Sequence, residues 1–179
     1  QEGAGAVFAE NQALRWIADL AGLPQSAGGV FVQGGTNGNL SALVAARADA
    51  RKKFPNTSRW AIACSTEAHS SIATAAHIMD VDLLKIEPGS DRKIYGDEVG
   101  VAIDKFHATT ETRVFVVVAT GGTTNLGIID DLETVGAATH ARDIWFHVDG
   151  AYGLAALCAP SVRAKFNGVE KADSLIVDP

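Results

Sequence analysis

Apolar residues recur at helical spacing early in the chain, at Phe8, Leu14, Ile17 and Leu20, and Gly22 with Pro24 supplies a stop. This predicts a first helix over Phe8–Ala21. Beyond it, short β-rich runs alternate with helical segments. The runs Gly29–Val32, Trp60–Cys64, Asp82–Glu87, Arg113–Ala119, Ile144–Val148 and Ser174–Val177 are predicted strands. Between them, Asn37–Lys53, Ser70–Met79, Asp97–Ala108, Asp131–Arg142 and a shorter stretch near Val162–Phe166 carry apolar residues at i, i+3 or i+4 and are predicted helices. The Arg113–Ala119 run has Val-Phe-Val-Val-Val at its centre and no polar alternation, so both its faces are expected to be buried, as in a mainly parallel sheet. Strands alternating with helices then give an α/β, three-layer domain. In such sheets ligands collect beyond the carboxyl ends of the strands.

Composition narrows the function classes. At 179 residues with 47% apolar side chains, the chain is long enough to bury a core. Fifteen Lys and Arg against twenty-one Asp and Glu give a net charge of −6, which argues against nucleic acid or an anionic membrane as partner. No apolar stretch approaches the roughly 20 residues that span a bilayer, and no basic segment precedes a hydrophobic one at the start, so a cytoplasmic location is expected. Cys64 and Cys158 lie far apart and outside any CxxC, which suggests neither a disulfide framework nor a zinc site; both are expected to be core thiols. There is no internal repeat or low-complexity tract, so the chain reads as one domain or part of one. It opens on Gln1 and stops at Asp178-Pro179 directly after an apolar run, and is expected to be a piece of something longer.

Chemistry concentrates at the predicted strand ends. Gln33-Gly34-Gly35-Thr36-Asn37-Gly38-Asn39 is a glycine-rich helix start. Unpaired N–H groups and the helix dipole there suit a phosphate at Gly35 and Thr36; the alternative is a plain turn with Thr36 or Asn37 as N-cap. It is neither a Walker A sequence nor GxGxxG. Ser65-Thr66-Glu67-Ala68-His69-Ser70-Ser71 opens another helix, where His69 either presents a flat ring to a ligand or simply caps the helix. Thr120-Gly121-Gly122-Thr123-Thr124-Asn125-Leu126-Gly127 is small and hydroxyl-rich, which lets a ligand approach closely or makes a simple loop. His147-Val148-Asp149-Gly150-Ala151-Tyr152-Gly153 sets a carboxylate at the end of an apolar strand. Asp149 there is either a turn or helix cap, or the partner of a protonated heterocyclic nitrogen. No spacing around Asp149 and His147 supplies a metal-ligand set. An anion cradle, a flat ring, hydroxyls and a carboxylate for a ring nitrogen together describe pyridoxal 5′-phosphate.

The motifs Gly34-Gly35-Thr36-x-x-Asn39, Ala68-His69-Ser70-Ser71, Ala119-Thr120-x-Gly122-Thr123-Thr124-x-x-Gly127, His147-Val148-Asp149-x-Ala151 and Ala172-Asp173-Ser174 running to Asp178-Pro179 occur in one order along the chain. In these the chain resembles the group II pyridoxal-phosphate-dependent amino-acid decarboxylases, such as aromatic amino acid and glutamate decarboxylases. The resemblance implies the aspartate-aminotransferase-like (type I) fold, with residues 1–179 forming most of the large cofactor domain. It implies that Gly35 and Thr36 bind the phosphate and that His69 stacks on the pyridine ring. Ala151 would pack on the ring's other face, Asp149 would pair with its nitrogen, Thr123 would sit beside the cofactor, and Asp178 would lie near the phosphate. His69 and Asp149 are thus the expected catalytic residues, with no metal.

The same resemblance implies decarboxylation of an L-amino acid to an amine and carbon dioxide by a homodimer. Two departures stand out: Asn37-Gly38 replaces the family's usual Glu-Ala, and Thr74 replaces a Lys. The Schiff-base lysine normally follows as Asp/Asn-Pro-His-Lys, and the sequence stops at Pro179. The segment is therefore expected to be inactive by itself, without the N-terminal segment and small C-terminal domain of the family, and to expose apolar surface that those parts cover. The alternatives are another type I enzyme, either an aminotransferase or a carbon–carbon lyase, and a non-catalytic phosphate-binding domain.

Overall fold

The computed structural model describes residues 3–178; Pro179, the last residue of the final motif, lies outside them. Helix α1 (Ala4–Ala21) ends at Gly22, whose positive φ of 74° lets it close the helix with a bond to the Ala18 carbonyl. Helix α2 (Gly35–Lys53), strand β1 (Trp60–Ser65), helix α3 (Ser70–Met79), strand β2 (Asp82–Ile86) and helix α4 (Gly96–Thr109) follow. Then come strand β3 (Arg113–Thr120), helix α5 (Leu132–His140), strand β4 (Trp145–Asp149), three short 3-10 turns and strand β5 (Ser174–Ile176).

The five strands pair in the order β2-β1-β3-β4-β5, and every pairing is parallel. Parallel neighbours need crossovers, and the helices that supply them cover both faces, which is why β1 and the interior of β3 carry no exposed residue. Ile62, Cys64, Phe115, Val116 and Val118 pack under α2 and α3. Ala61, Ala63, Val117, Phe146 and Val148 pack under α4 and α5 on the other face. Phe115 and Val116 point into the same layer because the β1–β3 register shifts there, an inserted residue that breaks the alternation of side chains. Burial pushes the Cys64 thiol up to about 12, so it serves as packing.

The chain runs from β1 outward to β2 and returns to the opposite side of β1 as β3. That reversal opens a crevice at the carboxyl ends of β1 and β3, beside the end of β4. Three of the predicted motifs leave the sheet at these ends.

The sequence expectations need correction at four places. Gly29–Val32 is not a strand: Val30 is 65% exposed, and the Phe31 N–H bonds to the Glu10 carboxylate and not to a neighbouring strand. β-Propensity marks a run able to pair but cannot supply the partner. Cys158 is exposed at the end of a 3-10 turn and not in the core. Arg163–Phe166 is a 3-10 turn and not an α-helix. The start of α2 is capped by Gly34, with φ 82° and no side-chain cap bond, so neither Thr36 nor Asn37 is the N-cap. The expected exposed apolar surface is present on α1 and the segment after it, at Val7, Phe8, Trp16, Phe31 and Val32.

The loop after β3 is tied by a buried carboxylate. Asp130 accepts the Thr120 N–H at 2.7 Å and the Ile94 N–H at 3.0 Å. Burial pushes its carboxyl up to about 6 despite these two bonds. A folded value above the unfolded one means that the contribution of Asp130 to stability is full below the ordinary carboxyl range. It is lost as pH rises through about 6. A rise of about two pK units corresponds to about 3 kcal/mol. Between about pH 4 and pH 7 the parent is expected to lose about that much stability relative to Asp130→Asn. Thermal unfolding of both proteins across this range checks it; a difference independent of pH would count against the assignment.

Candidate active site

The α2 start, the Asp149 corner and the end of β5 meet closely. A Cβ at Gly35 would stand 2.9 Å from the Ala151 Cβ, so glycine is required for helix and strand end to approach this far. The Gly35 N–H donates to Asp178 Oδ2 at 2.9 Å. The helix start thus already holds an anionic oxygen, the part a ligand phosphate oxygen would play, and such a ligand competes with Asp178 for this N–H. Thr36 follows as the exposed second residue of α2.

Asp149 ends β4 at 5% exposure. Its Oδ1 accepts the Ala151 N–H at 3.2 Å and its Oδ2 accepts the Asn39 Nδ2–H at 2.9 Å. The turn reading of Asp149 is therefore correct, and it leaves carboxylate lone pairs for a further donor. His69 is the N-cap of α3, its Nδ1 accepting the Ser71 N–H at 3.2 Å. The cap reading is correct as well. Because Nδ1 accepts, the ring proton lies on Nε2, the edge turned away from the helix start.

A chain of side chains connects the two residues. Ser71 Oγ lies 2.9 Å from His69 Nδ1 and accepts Asn39 Nδ2–H at 3.0 Å, and the same amide nitrogen reaches Asp149. The structure thus gathers Gly35, Ala151, Asp149, His69 and Asp178 at one end of the sheet. Thr123 is less engaged with this group: its N–H and Oγ1 both bond to Ile128, closing the loop after β3. That loop packs tightly on the Asp149 corner, since a Cβ at Gly122 would lie 2.9 Å from the Gly153 Cα.

Sequence reasoning gave no role to Asn39, Ser71, His147 or Ser174, which complete the network. His147 is fully buried, with Nδ1 2.8 Å from Ser174 Oγ and Nε2 2.9 Å from Asn39 Oδ1. Burial drives its pKa down to about 4, against the pull of Asp149, so the ring is uncharged at neutral pH. A signal for Asn39 existed: the buried positions of α2 are Gly38, Asn39, Leu43, Ala46 and Ala50, which places an amide in the core-facing register. Among the described residues, no cluster of three or more His, Cys, Asp or Glu is placed to hold a metal ion.

This arrangement fits pyridoxal phosphate on its donor set. It has a pinned carboxylate for a ring N–H, an imidazole beside it, and a helix start that accepts an anion.

Known proteins share the architecture. The chain is 33% identical over 181 residues to the aromatic-L-amino-acid decarboxylase of Bacillus atrophaeus, covering 99% of this chain and 37% of that protein. It is 34% identical over 181 residues to the L-2,4-diaminobutyrate decarboxylase of Rhizobium meliloti, with 97% and 35% covered. The crystal structure of mouse CSAD aligns with a TM-score of 0.89 at 27% identity, over 97% of this chain and 38% of that one. Oryza sativa TDC with PLP and tryptamine aligns with a TM-score of 0.85 at 27% identity, over 96% and 38%. The chain therefore spans little more than a third of these proteins' length, and its five-stranded parallel sheet is that of the type I fold. A family model described as the pyridoxal-dependent decarboxylase conserved domain matches residues 5–179, and the chain belongs to this family.

Proposed function

We propose that this segment forms most of the large cofactor-binding domain of an enzyme that decarboxylates an L-amino acid to an amine and carbon dioxide, using pyridoxal 5′-phosphate. The observation that carries the reading is the Asp149 carboxylate, held by the Asn39 and Ala151 N–H groups at the sheet's ligand-binding end. The family match and the decarboxylases among the relatives support it.

In this reading Gly35 and Thr36 accept the phosphate at the α2 start, and Asp178 lies beside it. His69 would hold one face of the ring and Ala151 the other, and Thr123 would sit beside the cofactor. Bound there, the cofactor supplies an electron-accepting pyridinium ring. Asp149 holds the proton on the ring nitrogen, because a carboxylate close to that nitrogen favours its charged form. His69 and Asp149 would together hold and orient the ring, Asp149 at its nitrogen and His69 against its face.

Product analysis of the full-length protein loaded with pyridoxal phosphate tests this. Incubation with L-amino acids is expected to release carbon dioxide and amine in equal amounts. A keto acid or an aldehyde without carbon dioxide would overturn the reading in favour of transamination or carbon–carbon cleavage.

The proposal includes a cytoplasmic homodimer with an amino acid as its small-molecule substrate and neither nucleic acid nor membrane as partner. Two free thiols, an acidic net charge and the apolar side chains Val7, Phe8 and Trp16 exposed on α1 support it. Among the described residues no helix is long and apolar enough to cross a membrane. Sedimentation of the full-length protein reads the oligomeric state, and a monomer would remove the homodimer from the proposal.

A further inference from the structure

Asn39 stands in the core-facing register of α2 at 1% exposure, where a side chain with unpaired polar atoms would be costly. All of its capacity to donate is used: one amide hydrogen goes to Asp149 Oδ2 and the other to Ser71 Oγ. Its Oδ1 faces His147 Nε2 at 2.9 Å.

Groups that can only donate or only accept stand at both ends of this network and constrain the directions of its bonds. At one end the Trp145 indole N–H can only donate, and it does so to Ser174 Oγ at 2.8 Å. The Ser174 hydroxyl hydrogen is then available to His147 Nδ1, 2.8 Å away. With Nδ1 accepting, His147 carries its proton on Nε2 and donates it to Asn39 Oδ1. That bond holds the amide with its NH2 toward Asp149, a carboxylate that can only accept. The reversed amide would set its oxygen against the Asp149 carboxylate, and its NH2 against the Nε2–H of His147. On the far side, the second amide hydrogen orients Ser71 so that its hydroxyl donates to His69 Nδ1.

We infer that Asn39 is a positioning residue of this site, with its amide turned by His147 so that one NH2 group holds both the Asp149 carboxylate and the Ser71 hydroxyl that steadies His69. The inference rests on the cofactor reading for the identity of the ligand. The order of the hydrogen bonds stands apart from that reading. Helix α2 thereby links its own start, the proposed phosphate site, to the two residues proposed to grip the ring, so the three parts of the site move as one body.

Two measurements on the full-length protein test this, each on the parent and on Asn39→Leu, which keeps the branched outline of the side chain and removes the amide. The first is nitrogen-15 NMR of histidine-labelled, cofactor-free protein, with His147 assigned from a His147→Phe variant. The parent is expected to show His147 as a single uncharged tautomer with the proton on Nε2, and Asn39→Leu the same tautomer with its Nε2 resonance shifted by the loss of the Asn39 Oδ1 acceptor. A proton on Nδ1 in the parent, or an unchanged spectrum in the variant, overturns the inference.

The second is the dissociation constant for pyridoxal phosphate. Asn39→Leu is expected to weaken binding about tenfold to hundredfold, the loss of one hydrogen bond to a charged group. In an Asp149→Ala background it is expected to add almost nothing, because it acts through that carboxylate. Full additivity of the two substitutions would make Asn39 a packing residue and overturn the inference. Where Asn39→Leu fails to fold, Asn39→Asp decides: it keeps the acceptor for His147 and sets a carboxylate against Asp149. His147 must then retain its tautomer while cofactor affinity falls. A folded parent that takes up no pyridoxal phosphate removes the cofactor reading and the positioning role with it. Normal uptake with the wrong tautomer removes the inference alone.

Discussion

If the full-length protein is the proposed decarboxylase, replacing Asp149 by Ala is expected to lower kcat by at least about a hundredfold, the effect of losing one preorganised charged group at the reacting centre, while KM for the amino acid changes little. The physical reason lies in what this carboxylate touches. Its two oxygens are held by the Asn39 and Ala151 N–H groups in a setting that is 5% exposed, so its orientation is set before any ligand arrives. A fixed negative charge in a site of low dielectric favours the charged form of a ring nitrogen far more than water does. In the proposed reading this carboxylate faces the cofactor and not the substrate, so the loss should fall on turnover. Steady-state kinetics at saturating pyridoxal phosphate provide the check. Unchanged kcat would remove Asp149 from the chemistry, and equal rises in KM with constant kcat would make it a binding residue. Asp149→Glu is not expected to rescue, because the longer side chain cannot keep both N–H contacts at the end of β4.

Phe146→Ala is expected to cost about 3 to 5 kcal/mol, the range for deleting a buried aromatic ring. Phe146 is fully buried in the layer under α5. It packs edge-on against His140, with ring centroids 6.4 Å apart. A Cβ at Gly136 would lie 3.0 Å from its ring, so the α5 backbone rests directly on it. The gap left by the ring is lined by helix backbone, which cannot collapse into it as a flexible side chain would. Such a loss is a large part of the stability of an ordinary domain, about 5 to 15 kcal/mol. Urea denaturation of parent and variant measures it, and a cost below about 1 kcal/mol would show that α5 closes the gap. His147, the next residue, faces the other layer, so whatever variant protein remains folded is expected to keep its Asp149 network.

Much of the architecture was legible because its signals are local. Val114 to Val118 read as a strand buried on both faces, and β3 is that strand, covered by helices on both sides. Ser70–Met79 was bounded correctly at both ends because His69 caps its start and its apolar positions recur at helical spacing. Gly35 was legible as part of a glycine-rich helix start, although its close approach to Ala151 was not. The misreadings have one physical source. Val30–Val32 has the composition of a strand, and nothing in a run of residues states whether another strand lies alongside. Cys158 is of a residue type usually buried, and its place at the end of a 3-10 turn exposes it.

The site was legible as a set of positions and not as a network. Asp149, His69 and Gly35 announce themselves by standing at strand ends and helix starts, where unpaired backbone groups and small residues are local features. His147 stands inside an apolar run and looks like an interruption of the core, and Asn39 stands in a glycine-rich polar stretch where a buried amide does not announce itself. By itself the sequence determined the alternation of strands and helices, the ends at which chemistry gathers, and the order of motifs that marks the family. Only the tertiary structure decided which donor faces which acceptor. Asn39 meets His147 across 108 residues and Asp149 across 110. Periodicity and turn chemistry act over a few residues and are written in the order of side chains, whereas hydrogen-bond direction is settled only when the sheet closes and each buried polar atom must find a partner.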